Sequence, residues 1–270
     1  MPQISFEETP PFHIEKKTFK TPLAAMNYHR AFELYYILHG EREYFIGDRF
    51  YRVFQGDLVL IPEGMLHRTA GKGATRFLMY FSKEFLATYF QSELLGALPL
   101  QEPFVFRADA RMRETLERDL GDMLNTFEST CATDRAARAM LAARLGSLLL
   151  MISRAPNHYM PESFTDGRIA EVVRYINEHY SDIESIDRIA EQFYISKYHL
   201  CRSFTKNLGV PLITYLNTIK VRAAVRLMTN DKLNITEIAT RCGFNSSSYF
   251  CKVFTGEMGM SPTAYRKRLR

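Results

Sequence analysis

The sequence predicts a multidomain chain with an all-β N-terminal part and an all-α C-terminal part. Short runs rich in Tyr, Phe, Ile and Val, broken by turn residues, fill residues 12–81. A helical pattern that occurs twice fills residues 167–270. The net charge divides in the same way, since residues 163–270 carry +6 and residues 1–162 carry −1. The C-terminal part is therefore the one suited to a polyanionic partner.

The N-terminal β pattern consists of short apolar runs separated by turn signals. Closely spaced short strands of this kind are typical of an all-β barrel or sandwich. We assign it, with an N-terminal arm, to residues 1–107. The turn signals are Gly40, Gly47-Asp48, Gly56-Asp57, Pro62-Glu63-Gly64 and Gly71-Lys72-Gly73.

From residue 108 the periodicity becomes helical. Apolar residues recur at three- and four-residue steps in two stretches, which predicts an antiparallel pair of amphipathic helices over residues 108–153. Because the apolar stripes look exposed, we expect a dimerisation element here and a homodimer; the alternative is that both helices pack on the barrel. The stripes are Leu116, Leu120, Met123 and Phe127, and Leu141, Leu145, Leu148 and Ile152.

Residues 154–166 are polar, contain two prolines and lack periodicity, so they are interpreted as a linker. Beyond them, the chain repeats itself at an offset of 50, with a further match at an offset of 49. Each copy contains Ile-x-x-Ile-Ala, a tight turn and a longer helix, which predicts two helix-turn-helix units. The matched pairs are Ser196/Ser246, Cys201/Cys251, Phe204/Phe254, Thr205/Thr255, Gly209/Gly259 and Tyr215/Tyr265.

Local signals support this prediction. Asn234 with Glu237 predicts a capped first helix in the second unit, and Gly243 supplies the positive φ of a sharp turn. An amphipathic stretch at residues 213–228 predicts a rigid connecting helix. Two recognition helices held about 34 Å apart can enter successive major grooves of B-DNA.

Other observations exclude further classes of protein. The cysteines form no C-x-x-C pair, so neither a zinc motif nor a disulfide framework is indicated, and we expect a cytoplasmic protein. The N-terminus does not resemble a signal peptide, and the longest apolar run, residues 145–152, is too short to span a bilayer. Phosphate-binding loops and nucleophile motifs are missing, so no enzyme, cofactor or membrane partner is predicted.

The C-terminal part resembles the AraC/XylS family of bacterial transcription regulators over residues 167–270. Two segments carry this resemblance: Ile235-Thr-Glu-Ile-Ala-Thr-Arg-Cys-Gly-Phe, continuing to Gly259-Met-Ser-Pro-Thr-Ala-Tyr-Arg, and Ser196-Lys-Tyr-His-Leu-Cys-Arg-Ser-Phe-Thr-Lys. The resemblance implies a regulator that binds double-stranded DNA, contacts RNA polymerase and usually activates transcription.

The resemblance also implies which residues face the DNA. Because Leu200 with Phe204 and Phe250 with Phe254 mark the buried stripes, Arg202 and Lys252 must face outward. Arg202 can bind guanine through two donors, so the first DNA box should be the more strictly recognised. The groove-facing set is Tyr198, Cys201, Arg202, Ser247, Ser248, Cys251 and Lys252. Lys197, Lys206 and Arg241 are assigned to phosphates, with plain solvated surface charge as the alternative.

The N-terminal part resembles a cupin-type barrel. Glu33-x6-Gly40 and Gly56-x5-Pro62-x-Gly64-x2-His67 carry this resemblance, whereas Asn27 and Gly71 depart from it. His29, Glu33 and His67 could form a three-ligand metal site. We expect instead that they bind a small effector, with Tyr28 and Tyr36 beside them and a sugar as the hypothesis.

The resulting prediction is a ligand-responsive, sequence-specific transcription regulator. It combines a cupin-like sensor barrel, a helical element and a double helix-turn-helix domain. The alternative is a cupin-type metal-dependent enzyme, an isomerase or dioxygenase, fused to a DNA-binding module.

Overall fold

A computed structural model describes residues 4–7, 9–19, 26–71, 73–131, 133–154, 158–159, 167–229 and 233–269. The chain divides into two compact units. Of the described residues, those between 7 and 159, apart from 26 and 27, belong to the N-terminal unit, and 4–6, 26–27, 167–229 and 233–269 belong to the C-terminal unit.

The strands lie in one sheet, which we call the barrel. The long strand β4 is its centre, because its first half pairs antiparallel with β6 and its second half with β5 and β7. β8 pairs with β4 along most of its length and with β2 on its other edge. The described strands are β1 (Ser5–Glu7), β2 (Phe12–Phe19), β3 (Asn27–His29), β4 (Phe32–Ile46), β5 (Arg49–Phe54), β6 (Asp57–Ile61), β7 (His67–Ala70), β8 (Ala74–Phe81), β9 (Phe104–Arg107) and β10 (His158–Tyr159).

The two faces of the barrel strands have different neighbours. Alternate residues of a strand point to opposite faces, and on β4 both sets are buried. Leu34 and Tyr36 belong to the larger core, which includes the helices that follow the barrel. Tyr35 and Ile37 belong to a second core inside the barrel, together with residues of β5, β6 and β8. Side chains at odd positions in this part of β4 therefore face the barrel interior.

Helices cover the outer face. α1 (Lys83–Ala87) and α2 (Ser92–Ala97) precede β9, and α3 (Ala110–Ser129) and α4 (Arg135–Ser153) follow it. The sequence prediction missed α1 and α2, since helices of five and six residues are too short to show a period of 3.6. The local signal was the cap Ser82, whose Oγ accepts a hydrogen bond from Phe85 N at 3.0 Å.

The predicted helix pair is present as α3 and α4, but its apolar stripes do not look outward. Leu116, Leu120, Leu141 and Leu145 are all buried in the core shared with the barrel. The stripes are therefore buried within the chain, as the alternative of packing on the barrel expects, and a dimerisation element at 108–153 stays a prediction. Arg144 Nη1 also joins the two helices, at 3.1 Å from Asp122 Oδ2.

α4 is long and apolar enough to cross a membrane by length and composition alone. Nearly half of its apolar window, 44%, is buried within the protein, and the buried residues pack in the larger core that the helices share with the barrel. This is the behaviour of a core helix.

Of the predicted linker at 154–166, only Arg154 and β10 lie within the described residues, and β10 pairs with β9.

The described residues from 167 onward form helices, as predicted. α6 with α7 and α9 with α10 form the two helix-turn-helix units, and α8 connects them. Ser185, Ser196 and Ser246 cap α6, α7 and α10, while Asn234 and Glu237 form the predicted capping box on α9. The described helices are α5 (Gly167–His179), α6 (Ile186–Gln192), α7 (Lys197–Leu208), α8 (Leu212–Leu227), α9 (Ile235–Arg241), α10 (Ser247–Met258) and α11 (Pro262–Leu269).

Candidate functional site

Three predicted ligand-binding residues meet inside the barrel. His29 ends β3, Glu33 lies near the start of β4 and His67 begins β7. Glu33 Oε2 lies 2.9 Å from His29 Nε2 and 2.7 Å from His67 Nε2. Each side chain is at most 3% exposed. We call this cluster the His-Glu-His triad.

The hydrogen bond that each imidazole makes through Nδ1 determines what its Nε2 can do. His29 Nδ1 lies 2.8 Å from Ala31 O, and His67 Nδ1 lies 2.8 Å from Met65 O. Because a carbonyl oxygen only accepts hydrogen bonds, each Nδ1 must carry a proton. Each Nε2 can then approach a carboxylate closely only when it also carries a proton, or when a cation lies between the two groups. The triad is thus a site for protons or a metal ion.

The charges of the triad stabilise one another. Burial alone would raise the pKa of Glu33, but the charge of His67 and hydrogen bonds from both histidines lower it to about 2. Burial alone would lower the pKa of His67, whereas the adjacent Glu33 carboxylate raises it above 6.5. At neutral pH the triad therefore contains a buried carboxylate that favours protonation of its partner.

The donor set also fits a divalent transition metal. One ligand atom from each residue lies within 4.8 Å of the others, and imidazole with carboxylate is a common ligand combination for zinc and iron. An Nδ1–H bonded to a backbone carbonyl is the usual second contact of a metal-binding histidine. Glu33 Oε1 is buried and has no hydrogen-bond partner, so a carboxylate oxygen remains available.

Several other polar groups of the barrel interior were not predicted from the sequence. Arg76 Nη1 donates to Tyr44 Oη at 3.2 Å, and its guanidinium carbon lies 4.1 Å from the centre of the Tyr35 ring. Arg42 Nε donates to Thr69 Oγ1 at 2.8 Å. Both arginines are at most 3% exposed. The alternation of β8 was the signal for Arg76. A register shift between Ile37 and His39 changes which positions of β4 face inward, so alternation could not locate Arg42.

Two of the predicted effector ligands, Tyr36 and Tyr28, do not point towards the triad. Tyr36 points to the outer core, where its hydroxyl donates to Glu117 Oε1 of α3 at 2.9 Å. Its place as an effector ligand is therefore corrected, because adjacent residues of a strand alternate between faces and Glu33 shares its face with Tyr35. Tyr28 is buried and precedes His29 in β3, so it points to the opposite side of that strand.

The recognition helices α7 and α10 present the predicted DNA-facing residues outward. On α7, Tyr198 is 74% exposed, Arg202 is exposed and Cys201 is half-buried, while Leu200 and Phe204 are buried. The same division holds on α10. There Ser248 and Lys252 are exposed, Ser247 and Cys251 are half-buried, and Phe250 and Phe254 are buried.

The three predicted phosphate contacts differ in their surroundings. Lys206 and Arg241 are exposed at the ends of α7 and α9. Lys197 Nζ instead forms an exposed ion pair with Asp187 Oδ2 at 2.8 Å, and this pair raises the pKa of Lys197. An exposed pair is weak, so Lys197 can exchange Asp187 for another anion at little cost.

Comparisons with known proteins agree with this two-part arrangement. Residues 16–149 match the model of the AraC-like ligand binding domain, and residues 189–268 match a helix-turn-helix domain. The chain belongs to the AraC family. Like other members, it is a ligand-responsive transcription regulator with an effector-binding and a DNA-binding domain.

Some of the similar proteins match along most of their length. An uncharacterised HTH-type transcriptional regulator of Bacillus subtilis, YfiF, is 26% identical over 88% of this chain and 77% of its own. The HTH-type transcriptional activator RhaR of Klebsiella pneumoniae is 25% identical over 90% of this chain and 87% of its own. The solved structure of ToxT from Vibrio cholerae covers 96% of this chain and 98% of its own, at 15% identity and a TM-score of 0.37.

Proposed function

We propose that the barrel is a sensor without catalytic activity, and that the His-Glu-His triad binds a small polar effector. The observation that carries this proposal is the buried triad, which places charged hydrogen-bonding groups inside a domain of the effector-binding type. Buried polar groups of this kind are costly unless they are satisfied. An effector that bonds to Glu33 Oε1 would satisfy a buried triad atom that lacks a hydrogen-bond partner.

A sugar fits the chemistry of the barrel interior. Its hydroxyl groups both donate and accept, so they can pair with carboxylate, imidazole and guanidinium groups alike. Its apolar ring faces can stack on the interior tyrosine rings, of which Tyr35, Tyr44 and Tyr80 are examples. We therefore propose a sugar as the effector class.

In the DNA-binding domain, we propose that Arg202 reads a guanine in the first box and that Lys252, Ser247 and Ser248 make less selective contacts in the second. Their outward positions on α7 and α10 support these roles. Tyr198, Cys201 and Cys251 complete the groove-facing set. Lys206 and Arg241 bind phosphates, and Lys197 joins them when it leaves Asp187.

We further propose that the protein activates transcription in the cytoplasm, as a homodimer that contacts RNA polymerase. Activation is supported by the relative RhaR, which is named an activator. The homodimer and the polymerase contact rest on the family resemblance, since the stripes that suggested a dimer are buried within the chain. An effector can act only through its different affinities for the states that do and do not bind the promoter.

A screen of sugars against the full-length protein tests the effector proposal. A binding sugar should raise the unfolding temperature of the wild type in a saturable way and change its affinity for DNA. Glu33→Gln should abolish both effects, whereas Glu43→Gln, at an exposed site on the same strand, should keep them. Equal responses of the two variants would contradict a role for the triad.

The second candidate is a metal-dependent enzyme, which the donor set of the triad favours. Elemental analysis of the purified protein separates the two candidates. A stoichiometric transition metal that is lost in His67→Ala and kept in His39→Ala would favour the enzyme. A metal content equal in all three proteins would favour the sensor.

A further inference from the structure

A buried lysine joins the connecting helix to both helix-turn-helix units. Lys220 lies on α8 and is 5% exposed. Its Nζ donates to Ile183 O at 2.9 Å, in the loop that leads into the first unit, and to Gly243 O at 2.6 Å, in the turn of the second unit. One ammonium group thus bonds to the backbone of the loop before the first unit and to the turn of the second.

Burial of the Lys220 ammonium group is unfavourable in free energy, which argues that its hydrogen bonds provide a structural role. Removal of an ammonium group from water is unfavourable unless hydrogen bonds replace its hydration. Burial accordingly lowers the pKa of Lys220. The surrounding side chains include Phe244, whose ring centre lies 5.7 Å from Nζ. An apolar residue would fill this place more cheaply, but it would bond to neither carbonyl.

The turns of the two helix-turn-helix units carry different residues at equivalent positions, and the turn of the second unit lies beside the Lys220 contact. Gly243 and Tyr194 occupy equivalent places in the repeat, and both have positive φ, +76° and +53°. Tyr194 is 96% exposed, so its turn tolerates a large side chain in this conformation. A Cβ on Gly243 would instead collide with the backbone of Ser181. The second turn therefore needs glycine because it packs directly against the loop before the first unit.

We propose that Lys220 is a positioning residue that sets the separation and rotation of the two recognition helices. It acts through the backbones of Ile183 and Gly243 and touches no DNA itself. The spacing of the two DNA boxes that one chain accepts then depends on this single buried ammonium group. Without it, the two units still fold and bind, but their relative orientation is no longer unique.

Binding measurements with spaced DNA boxes test the proposal. The probes are duplexes that carry one or both boxes recovered from a random pool by the full-length wild type, with spacers lengthened by two base pairs. This insertion turns the second box by about 70° around the helix axis. Because linked units bind cooperatively through their fixed geometry, Lys220→Met should bind the original two-box duplex about tenfold more weakly. It should bind one-box DNA like the wild type and lose most of the dependence on the spacer.

Two variants separate positioning from folding and from charge. Lys220→Arg keeps donors at this place and should restore the preference for the original spacer. Arg226→Met removes an exposed cation from the same helix, so it should weaken one-box and two-box binding by equal factors. If Lys220→Met fails to fold, Lys220→Leu, which also lacks a donor, takes its place under the same criteria.

Two results would overturn the proposal. One is wild-type spacer dependence in a folded Lys220→Met protein. The other is an equal loss of one-box and two-box binding in that variant. Recovery of no boxes by the wild type would instead refute DNA recognition by two units.

Discussion

Glu33 Oε2 and His67 Nε2 lie 2.7 Å apart inside the barrel, and neither side chain is more than 3% exposed. Because His67 Nδ1 is already bonded to Met65 O, the contact between the two residues requires a proton or another cation. The sensor barrel therefore contains a buried charge pair whose state depends on the solution.

The stability of the metal-free protein should depend on pH through this pair. The raised pKa of His67 means that its contribution is complete below pH 6.5 and is lost as the pH rises through the folded-state value. The lowered pKa of Glu33 means that its contribution is present above pH 4.5 and is lost as the pH falls towards about 2. The pair therefore stabilises the fold most between pH 4.5 and 6.5.

Urea unfolding across this pH range, with chelator present, measures the effect. The free energy of unfolding of the wild type should fall from pH 6.5 to 9, and His67→Gln should flatten that fall. His39→Gln, at an exposed position on β4, should leave the slope unchanged. A slope that persists in His67→Gln would show that other groups cause it.

Removal of the carboxylate should cost more than removal of an exposed one. Glu33→Gln leaves two buried imidazoles without their anion, and the loss of one partner of a buried pair costs about 3 to 5 kcal/mol. Glu43 pairs with Arg52 at 3.3 Å on the surface, so Glu43→Gln should cost less than about 1 kcal/mol. Chemical unfolding at pH 6 checks both values, and similar losses would argue against a buried ion pair.

The strands of the barrel could be predicted from the sequence, but the directions of several side chains could not. The turn residues predicted the strands well, and the motif spacing brought His29, Glu33 and His67 together correctly. Tyr36 was misplaced because β4 is buried on both faces, so its composition does not reveal which residues look inward. The partners of Arg42 and Arg76 lie on β7 and on the far half of β4, and such pairings depend on strand register rather than on local sequence.

Arg202 and Lys206 should differ in how they contribute to DNA binding. Arg202→Ala should cost about 1 to 3 kcal/mol on the selected site and relax the preference at one base position. Lys206→Ala should weaken binding to every sequence alike and reduce the salt slope by about one. Titrations of matched and mutated duplexes at several salt concentrations measure both effects. If the two variants lose affinity equally on all sequences, Arg202 does not read a base.

Alanine substitutions at Gly243 and, as a control, at Gly259 test the contact between the turn of the second helix-turn-helix unit and the loop before the first. Both have positive φ, so alanine at either position should cost about 1 to 2 kcal/mol for the left-handed conformation. Nothing lies within 4 Å of a Cβ at Gly259, whereas a Cβ at Gly243 meets the Ser181 backbone. Gly243→Ala should therefore cost about 1 kcal/mol or more beyond Gly259→Ala in thermal unfolding. Equal losses of stability in the two variants would mean that the loop at Ser181 moves away from the new Cβ at little cost in free energy.

The helical part was predicted more completely than the barrel, for a physical reason. Caps, turns and the stripes of α7 and α10 are all local in sequence, and the repeat showed each of them twice. The ammonium contact of Lys220 joins α8 to carbonyls 37 and 23 residues away, and backbone acceptors leave no trace in side-chain patterns. The stripes of α3 and α4 gave the helices correctly but could not show which surface covers them.

Selection of bound sites from a random DNA pool by the full-length protein tests the central claim most directly. At about 0.15 M salt, non-specific attraction to phosphates is damped, so enrichment reports recognition of bases. We expect two short boxes with centres about 10 to 10.5 base pairs apart, the first more sharply defined than the second. Enrichment of a single box, or of no sequence at all, would contradict DNA recognition by two linked helix-turn-helix units.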